Sequence, residues 1–346
     1  MLFSMSNSIM AQDITFRKEY AFSHGIIWVK DFCKNSLSCK HRGSFTIPQT
    51  HQKDGKTYIV DEIHDSFIKC NLSSIVISNS VSSIGKSFQE CKNLKTATLS
   101  TNLKKISKCF IDCGLTSVTI PNSVTRLSES FHRCNYLTSI IIPNSNNVEI
   151  YKCFIDCGLI SVTIPNVDYI RDSFNDCKSL TSVTFTNSVT KVKVIDINNC
   201  FNDCGLTSVT VPNGFSFFEC FNKCKSLTSV TLTDGSYISR CFNDCKSLIS
   251  VTLTDGSHIR RCFNNCKSLT SVTIPNGVTD ISESFNENYK SLSITIQNPT
   301  PPSCSSSFYN KSMEEFQKCT IYVPKGSISA YQKDETWGKF NIKEIE

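Results

Sequence analysis

The sequence predicts a leucine-rich-repeat solenoid, mostly β, built as a parallel strand stack of about eleven 20–23-residue repeats with capped ends. Three observations carry that expectation. Phenylalanines fall at positions 67, 88, 110, 131, 154, 174, 201, 221, 242, 263 and 285, with gaps of 21, 22, 21, 23, 20, 27, 20, 21, 21 and 22. A fixed period just above 20 is a solenoid signature and lies in the leucine-rich-repeat range. Ten of the eleven rings open a Phe-x-x-Cys unit with Leu two or three residues after the Cys, as in Phe-x-x-Cys-x-x-Leu, and the units run on into a segment such as Leu115-Thr-Ser-Val118-Thr-Ile120-Pro121. Leu115, Val118 and Ile120 supply the Leu-x-x-Leu-x-Leu pattern.

The elements follow in chain order. Residues 1–11 are small and apolar and end like a signal-peptide cleavage site before Gln12, but the basic leading region is missing. Two readings stand: the remnant of a signal peptide whose start lies upstream, which is favoured, or a short disordered leader. Residues 12–65 form an N-terminal capping region. It holds a short apolar strand at Ile26-Ile-Trp-Val29 and a hairpin made of Ser44-Phe-Thr-Ile-Pro48, an Asp54-Gly55 turn and Tyr58-Ile-Val60. The hairpin would shield the edge of the first repeat.

Residues 66–297 are the repeats. The alternation Ser117, Val118, Thr119, Ile120 has period two, so it reads as a strand with one apolar face. Val and Ile point inward; Ser and Thr point outward. Pro121 ends the strand because it has no N–H for a ladder. Asn-Ser, Asn-Gly or Asp-Gly then turns the chain. A second apolar pair, such as Val124 and Leu127, leads to the next ring. One repeat cannot bury its apolar face alone, so stacking supplies the core. The long gap between Phe174 and Phe201 carries an insertion around Lys191-Val-Lys-Val-Ile195-Asp-Ile197, expected to bulge as a loop. Residues 298–346 form a C-terminal cap. A strand at Thr320-Ile-Tyr-Val323 gives way to a short helix near Ser327, read as an N-cap, and Ile328, Tyr331, Trp337 and Phe340 cover the core.

The chain has 20 cysteines among 346 residues. Ten lie three residues after a ring: Cys70, Cys91, Cys113, Cys134, Cys157, Cys177, Cys204, Cys224, Cys245 and Cys266. Six lie just before one: Cys109, Cys153, Cys200, Cys220, Cys241 and Cys262. In the other repeats that second place holds Ser66, Ser87, Ser130, Ser173 or Ser284. Alternation between Ser and Cys indicates a small side chain beside a large ring, and no metal site would accept serine so often. Cysteine behaves as a small buried hydrophobe, so both columns are read as a structural thiol ladder. Cys113-Gly114, Cys157-Gly158 and Cys204-Gly205 mark a turn one residue shorter, which glycine's tight conformations permit. Cys33 with Cys39, and Cys304 with Cys319, lie outside the columns and are candidate disulfides in an oxidising compartment.

The unit Phe-x-x-Cys-x-x-Leu-Thr-Ser-Val-Thr-Ile-Pro-Asn-x-Val-Thr-x-Ile resembles the BspA-like leucine-rich repeats, found on surface proteins of Bacteroides-type bacteria and of some parasitic protists. The resemblance covers about residues 43–346, including the entry hairpin and the closing cap at Thr320–Tyr331 with Trp337. The chain departs from the family where Ser or Cys replaces the usual Ala before the ring, and over residues 12–42. The resemblance implies a cell-surface or secreted protein that binds a protein partner, often in adhesion to host matrix or cell-surface proteins.

No chemistry emerges. Net charge is +6 without a dense Lys/Arg run, which argues against nucleic acid. No apolar run is long enough for a transmembrane span. No nucleotide-binding glycine pattern, His-Glu-x-x-His, Gly-x-Ser-x-Gly or zinc-ribbon motif occurs. The Asp112, Asp156, Asp176, Asp203 and Asp244 column also holds Lys69, Arg133 and Lys223, so it reads as a solvated turn rather than a calcium site. No enzyme activity, metal or cofactor is expected.

What remains is the outward strand face. One column is Ser117, Ser139, Ser161, Ser182, Ser208, Ser229, Ser250 and Ser271; the other is Thr119, Thr163, Thr184, Thr210, Thr231, Thr252 and Thr273. Solenoids use such extended faces to bind macromolecules. A site is expected where the ladder breaks character: at Lys95 and Thr96, at Ile141 in place of threonine, and at Lys191 and Lys193 in the insertion. The other reading is a structural or scaffolding repeat without a soluble ligand, such as a surface-layer component or an intracellular scaffold.

Overall fold

The structure, a computed structural model, describes residues 26–30, 42–53, 55–145, 147–186, 194–233, 235–288, 292–308 and 311–346. The chain falls into two compact units, Met1–Cys157 and Gly158–Glu346. Each is a mostly-β parallel solenoid.

In the first unit, the strand Arg42–Ile47 pairs in parallel with Asn71–Ile77, which pairs with Thr96–Thr98. Ser117–Thr119 pairs with Ser139–Ile141. The expected hairpin exists in a different frame: Thr50–Lys53 runs antiparallel to Lys56–His64 across Gly55, while the Ser44 segment joins the strand face. The predicted strand Ile26–Lys30 lies parallel to Lys56–His64. In the second unit, Ser161–Ile164 pairs with Ser182–Phe185. A longer run then goes from Ser208–Val211 through the strands starting at Ser229, Ser250, Ser271, Ser293 and Thr320 to Asn341–Glu344. Val118 and Ile120 are buried and Ser117 and Thr119 exposed, as the alternation requires.

A second parallel sheet was not anticipated. The return segment of each coil is also a strand. In the first unit Ser83–Gly85, Lys105–Ser107, Arg126–Ser128 and Glu149–Tyr151 pair in turn. In the second unit Tyr169–Arg171, Ile195–Asn198, Phe215–Phe218, Tyr237–Ser239 and His258–Arg260 do the same. Three residues with one buried centre, as in Lys105-Ile106-Ser107, are too few to show a period. Ile195 and Ile197, expected in a bulging loop, are buried in this sheet.

The corner between the two sheets holds the feature that sequence reasoning missed. Every ring phenylalanine is left-handed, with φ between +55° and +63°, and so are the residues two before and two after it, as Asp65, Phe67 and Lys69 show. An aromatic residue at positive φ is a backbone outlier. It recurs here because it sends the corner N–H groups along the stack. Lys69 N–H donates forward to Gln89 O at 2.8 Å, and Phe88 N–H donates back to Ser66 O at 3.0 Å. The rings themselves stack at 5.0–5.4 Å between successive coils within each unit, an offset face-to-face spacing that adds to the area they bury. Phe308 continues the column beyond Phe285 at 6.3 Å, with φ +58°, so the cap segment opens with one more coil.

Both small-residue columns are hydrogen-bonding positions rather than mere fillers. The residue before each ring accepts an N–H from the preceding coil: Cys109 N–H to Ser130 Oγ at 3.1 Å, Cys200 N–H to Cys220 Sγ at 3.4 Å. It also donates to the carbonyl two residues back, as Ser66 Oγ does to His64 O at 2.7 Å and Cys200 Sγ to Asn198 O at 3.1 Å. A hydroxyl and a thiol both serve. In the other column Cys91, Cys134 and Cys245 donate to the carbonyls of Phe67, Phe110 and Phe221 at 2.9, 3.0 and 3.2 Å. Burial pushes the Cys109 and Cys153 thiols up to about 12, away from reactivity.

Two cysteine readings change. Cys70 is disulfide-bonded and so is not part of the free-thiol ladder. Cys304 and Cys319 are buried thiols that form no disulfide with each other. Cys33 and Cys39 lie outside the described residues, as does the leader at 1–11. The glycine after cysteine also has a different cause. Gly114 and Gly205 are not at positive φ; a Cβ there would stand 2.0 Å from Lys92 O and 2.2 Å from Lys178 O. The wider corner of the preceding coil fills the space.

The C-terminal cap buries Tyr331, Trp337 and Phe340, with Trp337 Nε1 donating to Pro302 O at 2.8 Å. Ser327 precedes the helix Ile328–Gln332 but its side chain makes no cap hydrogen bond. The true capping box belongs to an unexpected helix, Met313–Lys318, where Ser312 and Glu315 exchange hydrogen bonds.

Candidate binding surfaces

The outward hydroxyl columns lie where the alternation put them. In the first unit Lys95, Thr96, Ser117, Thr119 and Ser139 are exposed; in the second, Ser161, Thr163, Ser182, Thr184, Ser208, Thr210, Thr252 and Ser271 are exposed, and Ser229, Thr231, Ser250 and Thr273 are half-buried. Ser208, Ser229, Ser250 and Ser271 are in strict register, as are Thr210, Thr231, Thr252 and Thr273. Lys191 and Lys193 lie outside the described residues.

A neighbouring threonine column behaves differently. Thr116, Thr138, Thr181, Thr228 and Thr270 each direct Oγ1 at a carbonyl of the preceding coil, at 3.1–3.4 Å. Among the described residues, the two predicted columns have no such partners. Their hydroxyls face solvent.

The face breaks character in the first unit. Tyr136 is 63% and Ile141 60% exposed. Lys95 Nζ sits 4.6 Å from the centre of the Tyr136 ring, a cation–π contact that reaches past the short Gly114 corner. Tyr136 was not singled out from sequence; its signal was an aromatic residue at a place where other repeats carry serine.

A second surface was missed entirely. In the second unit an open groove of about 1260 Å³ follows the left-handed corners. Its floor is the residue after each ring: Asn175, Asn202, Asn222, Asn243, Asn264 and Asn286. Asn175 Oδ1 accepts from Asn202 N–H at 2.8 Å, and the relation repeats from Asn202 to Asn222, Asn222 to Asn243, Asn243 to Asn264 and Asn264 to Asn286 at 2.7–2.9 Å. The banks are the left-handed residues on either side. One bank pairs Glu219 with Arg240 at 2.9 Å and Arg261 with Glu283 at 2.5 Å. The Arg261 guanidinium holds the Glu283 carboxyl below the ordinary carboxylate range. The other bank carries Asp176 and Asp203, both on Lys178, then Lys223, Asp244 and Glu287. The signal was present as Asn one place after six successive phenylalanines. In the first unit the same column is Ile68, Gln89, Ile111, His132 and Ile155.

Among the described residues no three His, Cys, Asp or Glu side chains converge as metal ligands would, and no helix is long and apolar enough to cross a membrane.

The model for the BspA type leucine rich repeat region, six copies, matches residues 62–173, 151–260 and 218–327. Among solved structures, a leucine-rich repeat protein from Bacteroides ovatus is similar over 98% of this chain and 100% of its own, with TM-score 0.52 and 20% identity. The pneumococcal vaccine antigen PcpA is similar over 93% and 92%, with TM-score 0.41 and 18% identity. A leucine rich cell surface protein from Faecalibacterium prausnitzii is similar over 70% and 84%, with TM-score 0.29 and 19% identity. Comparison with curated proteins gives no significant match. The family match spans well over half of the sequence, and the chain belongs to the BspA-type leucine-rich-repeat family.

Proposed function

We propose that the chain is a non-enzymatic binding protein, secreted or held at the cell surface, that engages a protein partner through its outward strand face. The observation that carries this reading is the exposed Tyr136 with Lys95 over its ring and Ile141 on the same face. Exposed aromatics are favoured anchors in protein interfaces, and hydroxyls without internal partners are free to bond across one. The disulfide at Cys70 supports an oxidising compartment. Adhesion to host or neighbouring-cell proteins is the role this face would serve.

Protease shaving and antibody labelling of intact cells test the location. Signal only after lysis overturns it and leaves an intracellular scaffold. For the surface itself, a screen of purified matrix and cell-surface proteins against the wild type and Tyr136→Ala tests the face. Saturable binding that the substitution weakens is expected; binding that ignores it puts the contact elsewhere.

A further inference from the structure

We propose that the asparagine-floored groove of the second unit is a binding site for a neutral, linear, β-1,4-linked polysaccharide, with one sugar ring per coil. This goes beyond the protein-binding reading of the strand face and concerns a different surface.

Hydrogen-bonding capacity is the first argument. A side-chain amide offers two donor and two acceptor sites. Asn243 uses one acceptor for Asn264 N–H and one donor for Arg261 O at 3.1 Å; Asn264 uses one for Asn286 N–H and one for Glu283 O at 3.1 Å. Both side-chain N–H groups of Asn202 are taken, by Asn199 Oδ1 and Glu219 O, whereas Asn243 and Asn264 are locked in place and each still has an N–H and a lone pair to offer. Hydroxyl groups, which donate and accept at once, match that pairing. Carboxylates along the bank, such as Asp244 and Glu287, add acceptors.

Register is the second. The rings beneath the floor stack at 5.0–5.4 Å from Phe174 to Phe285, so the amides recur at about that rise. An extended peptide shows like backbone groups to one side only every second residue, about 6.7 Å. It falls out of step within a few coils. A β-1,4-linked pyranose chain advances one ring in about one coil; alternate rings are turned over, so like hydroxyls meet the floor every second coil, a whole number of coils, and the chain stays in step along the groove.

Charge is the third. Glu219 pairs with Arg240 and Glu283 with Arg261, but one Lys178 serves both Asp176 and Asp203, and Asp244 and Glu287 add further carboxylates to the bank. A polyanion is repelled there, and an uncharged chain meets the amides without that penalty; a lysine-rich peptide tests the polycation.

Isothermal titration of the full chain with cellohexaose, chitohexaose and β-1,4-mannohexaose tests the proposal. At least one hexamer should bind, roughly tenfold tighter than its dimer, as added rings engage added coils. Affinity should hold between about 0.05 and 0.5 M salt, since no counterions are released. Asn243→Ile with Asn264→Ile should reduce it by about tenfold or more. Isoleucine occupies the same column at Ile68, Ile111 and Ile155, so the fold tolerates it, and an unchanged melting curve checks that. Met313→Ala, at an exposed residue outside the groove lining, should leave hexamer affinity unchanged. Three results each overturn the proposal: no binding of any hexamer, binding that the double substitution leaves intact, or a lysine-rich extended peptide that binds in a substitution-sensitive way instead. Loss of protein binding in Tyr136→Ala bears on the strand face alone, so failure of either reading is separately visible.

Discussion

Asn288 donates its side-chain N–H to the carbonyl of Phe263 at 3.0 Å, the place that Cys266 fills one coil earlier with its thiol toward Phe242 at 3.2 Å. The same amide accepts the Cys266 N–H at 2.7 Å. A substitution so different in shape is accepted because it keeps the hydrogen bond. The column is therefore selected for donation to a buried carbonyl, with size as a second requirement.

The first prediction follows. Cys245→Ala should destabilise the protein by about 1–3 kcal/mol, because the Phe221 carbonyl is left buried without a donor. Cys245→Ser keeps a donor and should lose clearly less. In the column before the ring, Ser130→Cys should be nearly neutral and Ser130→Ala should lose about 1 kcal/mol or more, since Cys109 N–H loses its acceptor. Denaturant titration checks both pairs. Equal losses for Ala and for the polar replacements would return the columns to a pure packing role.

The left-handed corner gives the second. Lys86 is exposed with φ +47°. The left-handed region is unfavourable by about 1–2 kcal/mol for an ordinary residue, least so for Gly and Asn. Part of the gain from Gly is lost to the greater freedom of its unfolded chain. The expected order of melting temperature is Lys86→Asn and Lys86→Gly at or above wild type, and Lys86→Val below it. A Val variant as stable as wild type would mean the corner relaxes its φ without penalty.

Glycine after cysteine tests close approach separately. Gly114→Ala puts a Cβ against the Lys92 carbonyl, where backbone must move, and should lose about 1–3 kcal/mol or more. Gly55→Ala meets nothing within 4 Å at φ +71° and should lose only about the left-handed penalty. Thermal melts of the two variants, read side by side, separate crowding from conformational strain.

The repeat period, the inward Val and Ile, the outward Ser and Thr, and the burial of Tyr331, Trp337 and Phe340 were all legible, because hydrophobic period and ring spacing encode them. The return strands were not, since a three-residue strand such as Lys105-Ile106-Ser107 has no measurable period. Nor were the left-handed phenylalanines. Nothing about a Phe announces positive φ, and only the Asp and Asn two places on, as in Asp112 and Asn265, hinted at it. The outward placement of the Ser and Thr columns followed from the period-two alternation. The groove escaped because each asparagine was taken with its own repeat rather than as a column. Tyr136 escaped because its contact with Lys95 joins residues 41 apart along the chain and two coils apart in the stack.

Alkali should act on this fold through its thiols. Burial raises Cys109, Cys153 and Cys266 to about 12, and Cys220, Cys241 and Cys262 well above the ordinary thiol value. In the unfolded chain the same groups titrate near 8.5. A pKa raised by folding means the stabilisation is fully present below the unfolded value and is lost as pH climbs toward the folded one. Stability should thus be flat with respect to these thiols below about pH 8 and fall between about pH 8.5 and 12. Each thiol contributes up to about 1.4 kcal/mol per pH unit across that window. Because many titrate together, the alkaline midpoint should be sharp and should move upward when several ladder cysteines are changed to serine. An Ellman assay gives the companion readout: the buried thiols stay silent in the native protein at pH 8 and react together on unfolding. Rapid labelling of many thiols without unfolding, or an alkaline transition that the serine variants do not move, would separate the ladder from the stability of the fold.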